Sequence, residues 1–306
     1  MTAPEPAEPA APEQAGTASD PFDDLLSVLD LRAAAASTGS RAVFTGRNAP
    51  TLGGRVFGGQ VLGQALVAAS RTVDPDRPAH SMHGYFLRPG EPGTPITFTV
   101  EVLRDGRSFS ARRVQASQLG APILSMIASF QVEDAGLDHA VPMPDVPAPE
   151  DLPSTAERLA GVDDPAARYW SHRRPIDVRH VGSAVYLGVD ERLGTQAVWM
   201  RATGTLPDEP ALHRAVTAYA SDYTILEPVM RRHGVAWATP GLKAASLDHA
   251  MWWHRPVRAD EWLLFTQTSP SASGARGLSQ GHLFSREGDL VATVAQEGML
   301  RVPEGR

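Results

Sequence analysis

The sequence predicts an α+β protein built from two tandem copies of one small domain, and an internal repeat is the main observation behind that prediction. The segment YFLRP at residues 85–89 returns as WWHRP at 252–256, and ASFQ at 128–131 returns as TVAQ at 293–296. Three anchors keep nearly the same separation: Arg255 lies 167 residues after Arg88, Arg276 lies 164 after Arg112, and Gln296 lies 165 after Gln131. Each copy therefore spans roughly 110 residues, a common size for a domain.

Each copy is predicted to contain one helix followed by long antiparallel strands. In the first copy, residues 60–69 follow a pair of glycines and repeat their apolar side chains with helical spacing. Strands are predicted at 95–103, 109–118 and 123–132, joined by short turns. One central helix with a curved antiparallel sheet wrapped around it, duplicated in tandem, is what a double hotdog fold looks like in sequence.

Composition divides the chain into four segments. Residues 1–20 are rich in Ala, Pro and Glu and are predicted to be a disordered tail. Residues 21–133 are predicted to form the N-terminal hotdog domain, beginning with a short amphipathic helix, and 134–175 a Pro-rich linker. Residues 176–303 are predicted to form the C-terminal hotdog domain, which carries the candidate catalytic residues.

Composition also excludes several classes of partner. The 306 residues are 42% hydrophobic with a formal net charge of -7, and the sequence has one lysine, Lys243. This shortage of positive charge argues against a nucleic-acid partner. No apolar run approaches the roughly 18 residues of a membrane span. The chain has no cysteine, which excludes disulfides, thiolate metal sites and a cysteine nucleophile. No Lys or Arg precedes Arg32, which argues against a signal or transit peptide, and we expect a cytoplasmic protein.

Asp222 is the strongest candidate for chemistry. Apolar side chains at positions 212, 215, 216 and 219 form one face of a predicted helix, and Asp222 continues that face. Burial tends to raise the pKa of a core-facing carboxyl group and makes it a candidate general base. The alternative is that Asp222 only ends the helix, but a carboxylate there opposes the helix macrodipole, which favours a functional role.

Two polar residues in predicted strands are further candidates. Gln296 shares its strand face with apolar residues, and a hydrogen-bonded core glutamine is an equally good interpretation, because Gln131 holds the equivalent position in the first copy. Ser246 lies in an apolar run and its counterpart, 167 residues earlier, is Ala79. The two copies are therefore chemically unequal at this position.

Two other patterns suggest chemistry that we do not expect. The segment GLSQG at 277–281 matches the G-x-S-x-G nucleophile elbow, but a turn and another strand follow it instead of the required helix. Ser279 is therefore predicted to be a strand residue, and a serine esterase is a weaker alternative. Asp248, His249 and His254 lack the spacing of a known zinc motif, and strand parity puts the two histidines on opposite faces, so no metal site is expected.

These motifs together resemble the type II acyl-CoA thioesterase family, whose members are double hotdog proteins. The resemblance covers residues 22–301 and includes FGGQV at 57–61, HSMHGYFLRPG at 80–90, LRDGRSFSARR at 103–113, YASD at 219–222, LDHAMWWHRP at 247–256 and QEG at 296–298. The family's catalytic set is an Asp on the second-copy helix, a Thr or Ser before the D-H-x-M-W strand and a Gln near the C terminus. It corresponds to Asp222, Ser246 and Gln296.

The resemblance implies hydrolysis of fatty acyl-CoA to free fatty acid and CoA by direct attack of water, without a cofactor. Asp222 would activate the water, while the other two residues hold it. The helix N terminus at Gly58, Gly59 and Gln60 is expected to support the oxyanion or the acyl pocket, and arginines to bind the CoA phosphates. We expect one active site per chain, where the copies meet, and a homo-oligomer, either a dimer or a tetramer.

Two other functions are alternatives. A non-catalytic acyl-CoA binding protein is possible because a fold alone does not establish activity, although such a protein has little use for a core carboxylate at Asp222. A hotdog dehydratase would need a His paired with an acid at the helix, and His213 is predicted to lie off the apolar stripe.

Overall fold

The computed structural model describes residues 20–34, 41–49 and 51–303. Within these ranges the helices are α1 (Pro21–Leu29), α2 (Gly58–Ser70), α3 (Thr155–Arg158), α4 (Pro165–His172), α5 (Pro210–Ser221) and α6 (Glu227–His233), with a 3₁₀ turn at Pro149–Asp151. The predicted tail at 1–20 lies outside the described residues apart from Asp20, whose carboxylate accepts the Phe22 N–H and caps α1. No helix in these ranges is long and apolar enough to cross a membrane.

The strands form antiparallel pairs throughout the described part of the chain. They are β1 (Arg32–Ala33), β2 (Arg41–Gly46), β3 (Ala79–Phe86), β4 (Ile96–Asp105), β5 (Phe109–Gln118), β6 (Ala121–Gln131), β7 (Ile176–Val181), β8 (Thr195–Ala202), β9 (Lys243–Ser246), β10 (Asp248–Trp253), β11 (Leu263–Ser273), β12 (Arg276–Ser285) and β13 (Leu290–Arg301). Their order is β1-β2-β4-β5-β6-β3-β10-β13-β12-β11-β8-β7, with β9 also paired to β13. Long antiparallel strands and few helices confirm the predicted α+β class.

Strands β3 and β10 join the two copies into one continuous sheet. In this pair His83 lies opposite Ala250. Ala250 also follows His83 by 167 residues, the separation that relates Arg88 to Arg255 in the repeat. The two residues are therefore equivalent and also paired, so an approximate twofold axis passes between them and relates the first copy to the second.

The helices α2 and α5 pack against each other in antiparallel directions at very short range. A Cβ atom placed on Gly59 would lie 2.2 Å from the Tyr219 carbonyl oxygen, and one on Gly63 would lie 2.9 Å from that of Ala215. Only glycine allows the two backbones to approach this closely. The N terminus of α2 consequently lies beside the C terminus of α5.

The segment predicted as a linker, 134–175, has structure of its own. It connects β6 to β7 and contains α3, α4 and the 3₁₀ turn. The Trp199 indole on β8 donates to the Pro147 carbonyl at 2.9 Å, so part of the segment packs on the second copy. The high proline content of this segment reflects irregular backbone, but the segment is more than a connector.

We expect Gly59→Ala to lower the free energy of unfolding by on the order of 2 kcal/mol, because a methyl group facing a carbonyl at this distance forces the helices apart. Gly136→Ala is the matched control, since nothing lies within 4 Å of the added Cβ atom. Chemical denaturation of both variants measures the difference. Equal midpoints for Gly59→Ala and Gly136→Ala would contradict the close contact between α2 and α5.

Candidate active site

A β-bulge interrupts the strand that carries Ser246. The register places Ser246 opposite Gly298 and Ala250 opposite Ala295. One extra residue is therefore accommodated at 247–248. In a regular strand, side chains three residues apart face opposite sides of the sheet. The bulge instead lets both Ser246 and His249 reach Gln296 on the face covered by the helices.

Asp222, Ser246 and Gln296 meet in one cluster of hydrogen bonds. The Ser246 hydroxyl donates to Asp222 Oδ1 at 2.9 Å, and Gln296 Nε2 donates to the same oxygen and to Ser246 Oγ, each at 2.9 Å. The backbone N–H of Gly59 donates to Asp222 Oδ2 at 2.8 Å. The cluster thus combines the C-terminal end of α5, strands β9 and β13, and the first turn of α2, and it lies where the two copies meet.

The Asp222 carboxylate is held between opposing electrostatic influences. Burial raises the pKa of Asp222 above its ordinary value, while nearby His249 and the donors Gln296, Ser246 and Gly59 act in the opposite direction. The positive end of the α2 dipole also favours the anion. Because burial outweighs the donors, the carboxyl group is easier to protonate than an exposed one, which suits a general base.

His249 is a neighbour of this cluster that sequence reasoning considered only as a metal ligand. Its Nδ1 atom is hydrogen-bonded to Gln296 Oε1, and its Nε2 atom lies 3.1 Å from Ser221 Oγ. Burial lowers the pKa of His249, although the Asp222 carboxylate acts to raise it. No spacing rule signals this contact in the sequence, because the bulge shifts the residue's face.

A cavity of about 660 Å³ opens onto Asp222 and Ser246. Its wall includes Phe57, Gly58 and Phe86 from the first copy, Tyr169, Trp170 and Arg174 from the segment between the copies, and Tyr223, Leu226 and Trp237 from the second. Helix α4 of the predicted linker therefore supplies part of the wall. In the sequence, the sign of this contribution is the adjacent aromatic pair Tyr169 and Trp170 within the Pro-rich segment.

Aromatic stacking and a buried network of hydrogen bonds fix the wall. Phe57 stacks on Tyr223 with ring centroids 4.5 Å apart, and the Arg174 guanidinium lies 4.6 Å from the Tyr223 centroid. The Trp237 indole donates to the buried carboxylate of Glu227 at 2.9 Å. Burial alone would raise the pKa of Glu227, but the neighbouring imidazole and amide donors hold it below its usual value. Stacking and buried hydrogen bonds among these side chains therefore hold the cavity wall in place.

The structure places the three residues predicted to provide support from the α2 N terminus in different surroundings. Gly58 lines the cavity, but the N–H of Gly59 is already donated to Asp222. The Gln60 side chain is fully buried on another side of the helix, where it accepts the Ala49 N–H and donates to Gln64. Sequence reasoning treated these adjacent residues alike, whereas successive positions on a helix face different surroundings.

The residues of the alternative functions do not assemble into sites. Ser279 is buried in β12 and its hydroxyl has no hydrogen-bond partner among the described residues, so no base activates it. His213, predicted to lie off the apolar stripe, is buried because the chain near Asp260 covers that side of α5. Its Nδ1 atom accepts the Ala259 N–H at 3.1 Å.

Asp248, His249 and His254 do not converge, and the described ranges contain no His, Asp and Glu group that could hold a metal ion.

Comparison with known proteins identifies the family. A family profile described as acyl-CoA thioesterase matches residues 172–299, and one described as the acyl-CoA thioesterase N-terminal domain matches 46–131. The human protein named acyl-coenzyme A thioesterase 8 is 38% identical over 314 aligned residues, covering 96% of this chain and 96% of that protein. The chain belongs to the type II acyl-CoA thioesterase family. The predicted class of enzyme, an acyl-CoA thioester hydrolase, is confirmed.

Solved structures agree with this assignment. The crystal structure of an acyl-CoA thioesterase II from Mycobacterium marinum is 42% identical, with a TM-score of 0.75 over 92% of this chain and 100% of that one. A protein from Alicyclobacillus acidocaldarius described as having a hot dog fold is 21% identical, with a TM-score of 0.70 over 93% of this chain and 99% of that one. The predicted double hotdog architecture is therefore confirmed.

We expect Gly58→Ala to lower thioesterase kcat with little loss of stability. A Cβ atom at this position would lie 2.8 Å from Asp222 Oδ2 and 3.1 Å from the Phe86 ring, so the added methyl displaces the carboxylate. A misplacement of this kind costs about a hundredfold in rate. Steady-state kinetics alongside thermal unfolding measure both effects, and unchanged kcat in a folded Gly58→Ala variant would argue against a role for Asp222 Oδ2.

Proposed function

We propose that the chain hydrolyses fatty acyl-CoA to a free fatty acid and CoA by direct attack of a water molecule that Asp222 activates. The observation that carries this proposal is the Asp222 carboxylate itself. It lines a cavity, its pKa is raised by burial, and three donors hold it from two directions. A general base needs this combination of access, orientation and proton affinity.

Counting lone pairs indicates where the water binds. A carboxylate oxygen accepts about two hydrogen bonds, and Oδ1 already accepts from Ser246 and Gln296. Oδ2 accepts from Gly59 and has capacity for one further donor. We therefore assign the attacking water to Oδ2, on the side where Gly58 has no side chain.

The reaction needs little else from the protein. The water oxygen adds to the thioester carbonyl carbon as its proton passes to Asp222. The resulting oxyanion collapses and expels the CoA sulfur, which takes that proton from Asp222 and so restores the carboxylate. Because a thiol has a pKa near 8.5, the sulfur is a good leaving group. We propose the Gly58 N–H, at the positive end of α2, as an oxyanion donor. These steps draw only on side chains and backbone, and we propose that no cofactor takes part.

We propose one active site per chain. Asp222 immediately follows α5 and Arg71 immediately follows α2, and both adopt right-handed helical backbone angles. The position equivalent to the base thus carries a guanidinium, which bonds to the Leu31 carbonyl and to Asp30. A cation cannot act as the base, so the first copy contributes the α2 N terminus and the cavity wall instead.

The cavity suits both ends of a fatty acyl-CoA. Its aromatic and aliphatic wall suits an acyl chain. Arg55 and Arg88 line the same cavity and are exposed, and each bonds to a backbone carbonyl, Ala244 at 3.3 Å and Pro122 at 2.9 Å. We propose that these two guanidinium groups bind the phosphates of CoA.

Assembly and location remain proposals from the sequence. We propose a homo-oligomer, dimer or tetramer, and its support is the outer face of the sheet, where Tyr85 is 63% exposed and Ile127 is 48% exposed. We also propose a cytoplasmic location, with which the cysteine-free sequence is compatible.

Asp222→Asn removes the base and keeps the size of the side chain. We expect kcat to fall by about 10² to 10⁴, the usual contribution of a general base. Release of free thiol from acyl-CoA substrates of several chain lengths measures the loss and ranks the substrates. Ser279→Ala is the matched control, with wild-type turnover expected. Substantial turnover in Asp222→Asn would contradict the proposed base, and a wild type that binds acyl-CoA without hydrolysing it would indicate a binding protein.

The pH dependence of kcat gives a second test. Protonation of Asp222 abolishes its action as a base, so kcat declines as the pH falls through the pKa of that group. Because burial raises this pKa, the decline occurs at a higher pH than an exposed aspartate would give. Ser246→Ala removes a donor to the anion and should move the decline to still higher pH. A pH profile that stays in place, or moves to lower pH, would count against the assignment.

A further inference from the structure

The contacts of His249 distinguish it from the other histidines of the described chain. It is buried in β10, its Nδ1 atom contacts Gln296 Oε1, and its Nε2 atom faces Ser221 Oγ at 3.1 Å. Ser221 is the last residue of α5, immediately before Asp222. A chain of contacts therefore runs from Asp222 through Gln296 and His249 back to Ser221, the neighbour of Asp222.

The positions of the hydrogen atoms in this chain of contacts follow from the chemistry of the groups. As the proposed base, Asp222 acts in its ionised form and only accepts, so the end of the Gln296 amide that faces it must be the NH₂ group. The other end is then the carbonyl oxygen Oε1, which only accepts. The atom facing it, His249 Nδ1, must therefore carry a proton.

The second ring nitrogen is assigned in the same way. Burial lowers the pKa of His249, which favours the neutral imidazole with a single proton. With that proton on Nδ1, Nε2 is an acceptor and receives a hydrogen bond from the Ser221 hydroxyl. Ser221 Oγ also lies 2.9 Å from the Ala218 carbonyl, so rotation of the hydroxyl selects between that oxygen and Nε2 as its acceptor.

We propose that His249 is a positioning residue for hydrolysis. Its Nδ1–H determines which end of the Gln296 amide faces Asp222 and Ser246, and Ser221 holds the imidazole in that tautomer. The inference rests on the proposed function, because it assigns His249 a role in that same site. His249 does not touch substrate, since it is buried behind Gln296.

The proposal has a direct energetic reason. An amide side chain is nearly symmetric in shape, so packing alone does not choose between its two orientations. If Nδ1 carried no proton, its lone pair would repel Oε1, and the flipped amide would turn its carbonyl toward the Asp222 carboxylate. That arrangement removes a donor to the base and adds a repulsion, which displaces the carboxylate and the water bound to it.

Two substitutions separate the ring nitrogens. In His249→Asn the amide nitrogen is bonded to Cγ, as Nδ1 is, so a donor toward Gln296 is retained. In His249→Gln the amide is one bond further out, near the position of Nε2, and the donor to Gln296 is lost. We expect kcat to fall about tenfold to a hundredfold in His249→Gln and to stay within about threefold of wild type in His249→Asn. KM should change by less than about twofold in both.

A double-mutant cycle tests whether His249 acts through Gln296. In a Gln296→Ala background the further change His249→Gln should have almost no effect on kcat. His254→Gln, at an exposed histidine just past the end of the same strand, is the control and should match wild type. Equal losses in His249→Asn and His249→Gln, no loss in either, or a full additional loss in the Gln296→Ala background would each overturn the proposal.

A spectroscopic measurement keeps this proposal separate from the proposed function. In protein labelled with ¹⁵N-histidine, the resonances absent from His249→Asn identify His249. We expect a neutral ring with a protonated Nδ1 and an unprotonated Nε2, and the opposite tautomer would overturn the proposal even in an active enzyme. A wild type without thioesterase activity that still shows the Nδ1–H tautomer would instead contradict the proposed function alone.

Discussion

The placement of one carboxylate between two helix ends is the constraint on which the rest of the site depends. Asp222 lies at the C terminus of α5, where the helix dipole disfavours an anion, and beside the N terminus of α2, where the dipole favours it. The second effect requires the two backbones to come very close, which the glycines at 59 and 63 allow. The helix contact that packs the two copies together thus also stabilises the anionic form of the proposed base.

Duplication explains why such a junction exists and why it is used once. Two antiparallel helices related by an approximate twofold axis bring the N terminus of each beside the C terminus of the other, which makes two similar junctions. One has Asp222, and the other has Arg71 paired with Asp30. Fusion of the copies into one chain allows the two junctions to differ in sequence, which identical subunits could not do.

Much of this arrangement was predictable from local patterns, and the parts that were not depend on tertiary contacts. Helical spacing identified the buried face that ends in Asp222, and strand alternation put Gln296 on the inner face of β13. Strand parity failed at residues 247–248, because one extra residue changes which side chains face the helices. His249 was consequently missed, and so was the contribution of α4, since nothing local indicates which distant wall an aromatic side chain will join.

Gln296 shows why a structural and a functional interpretation need not compete. From the sequence, a hydrogen-bonded core glutamine and a catalytic one were equally good descriptions. The buried amide is indeed satisfied, but its partners are Asp222, Ser246 and His249, the residues of the site itself. Because a buried amide is costly to leave unpaired, the free energy that keeps Gln296 in the core also keeps the carboxylate and hydroxyl in place. Stability and the geometry of the site therefore rest on the same hydrogen bonds.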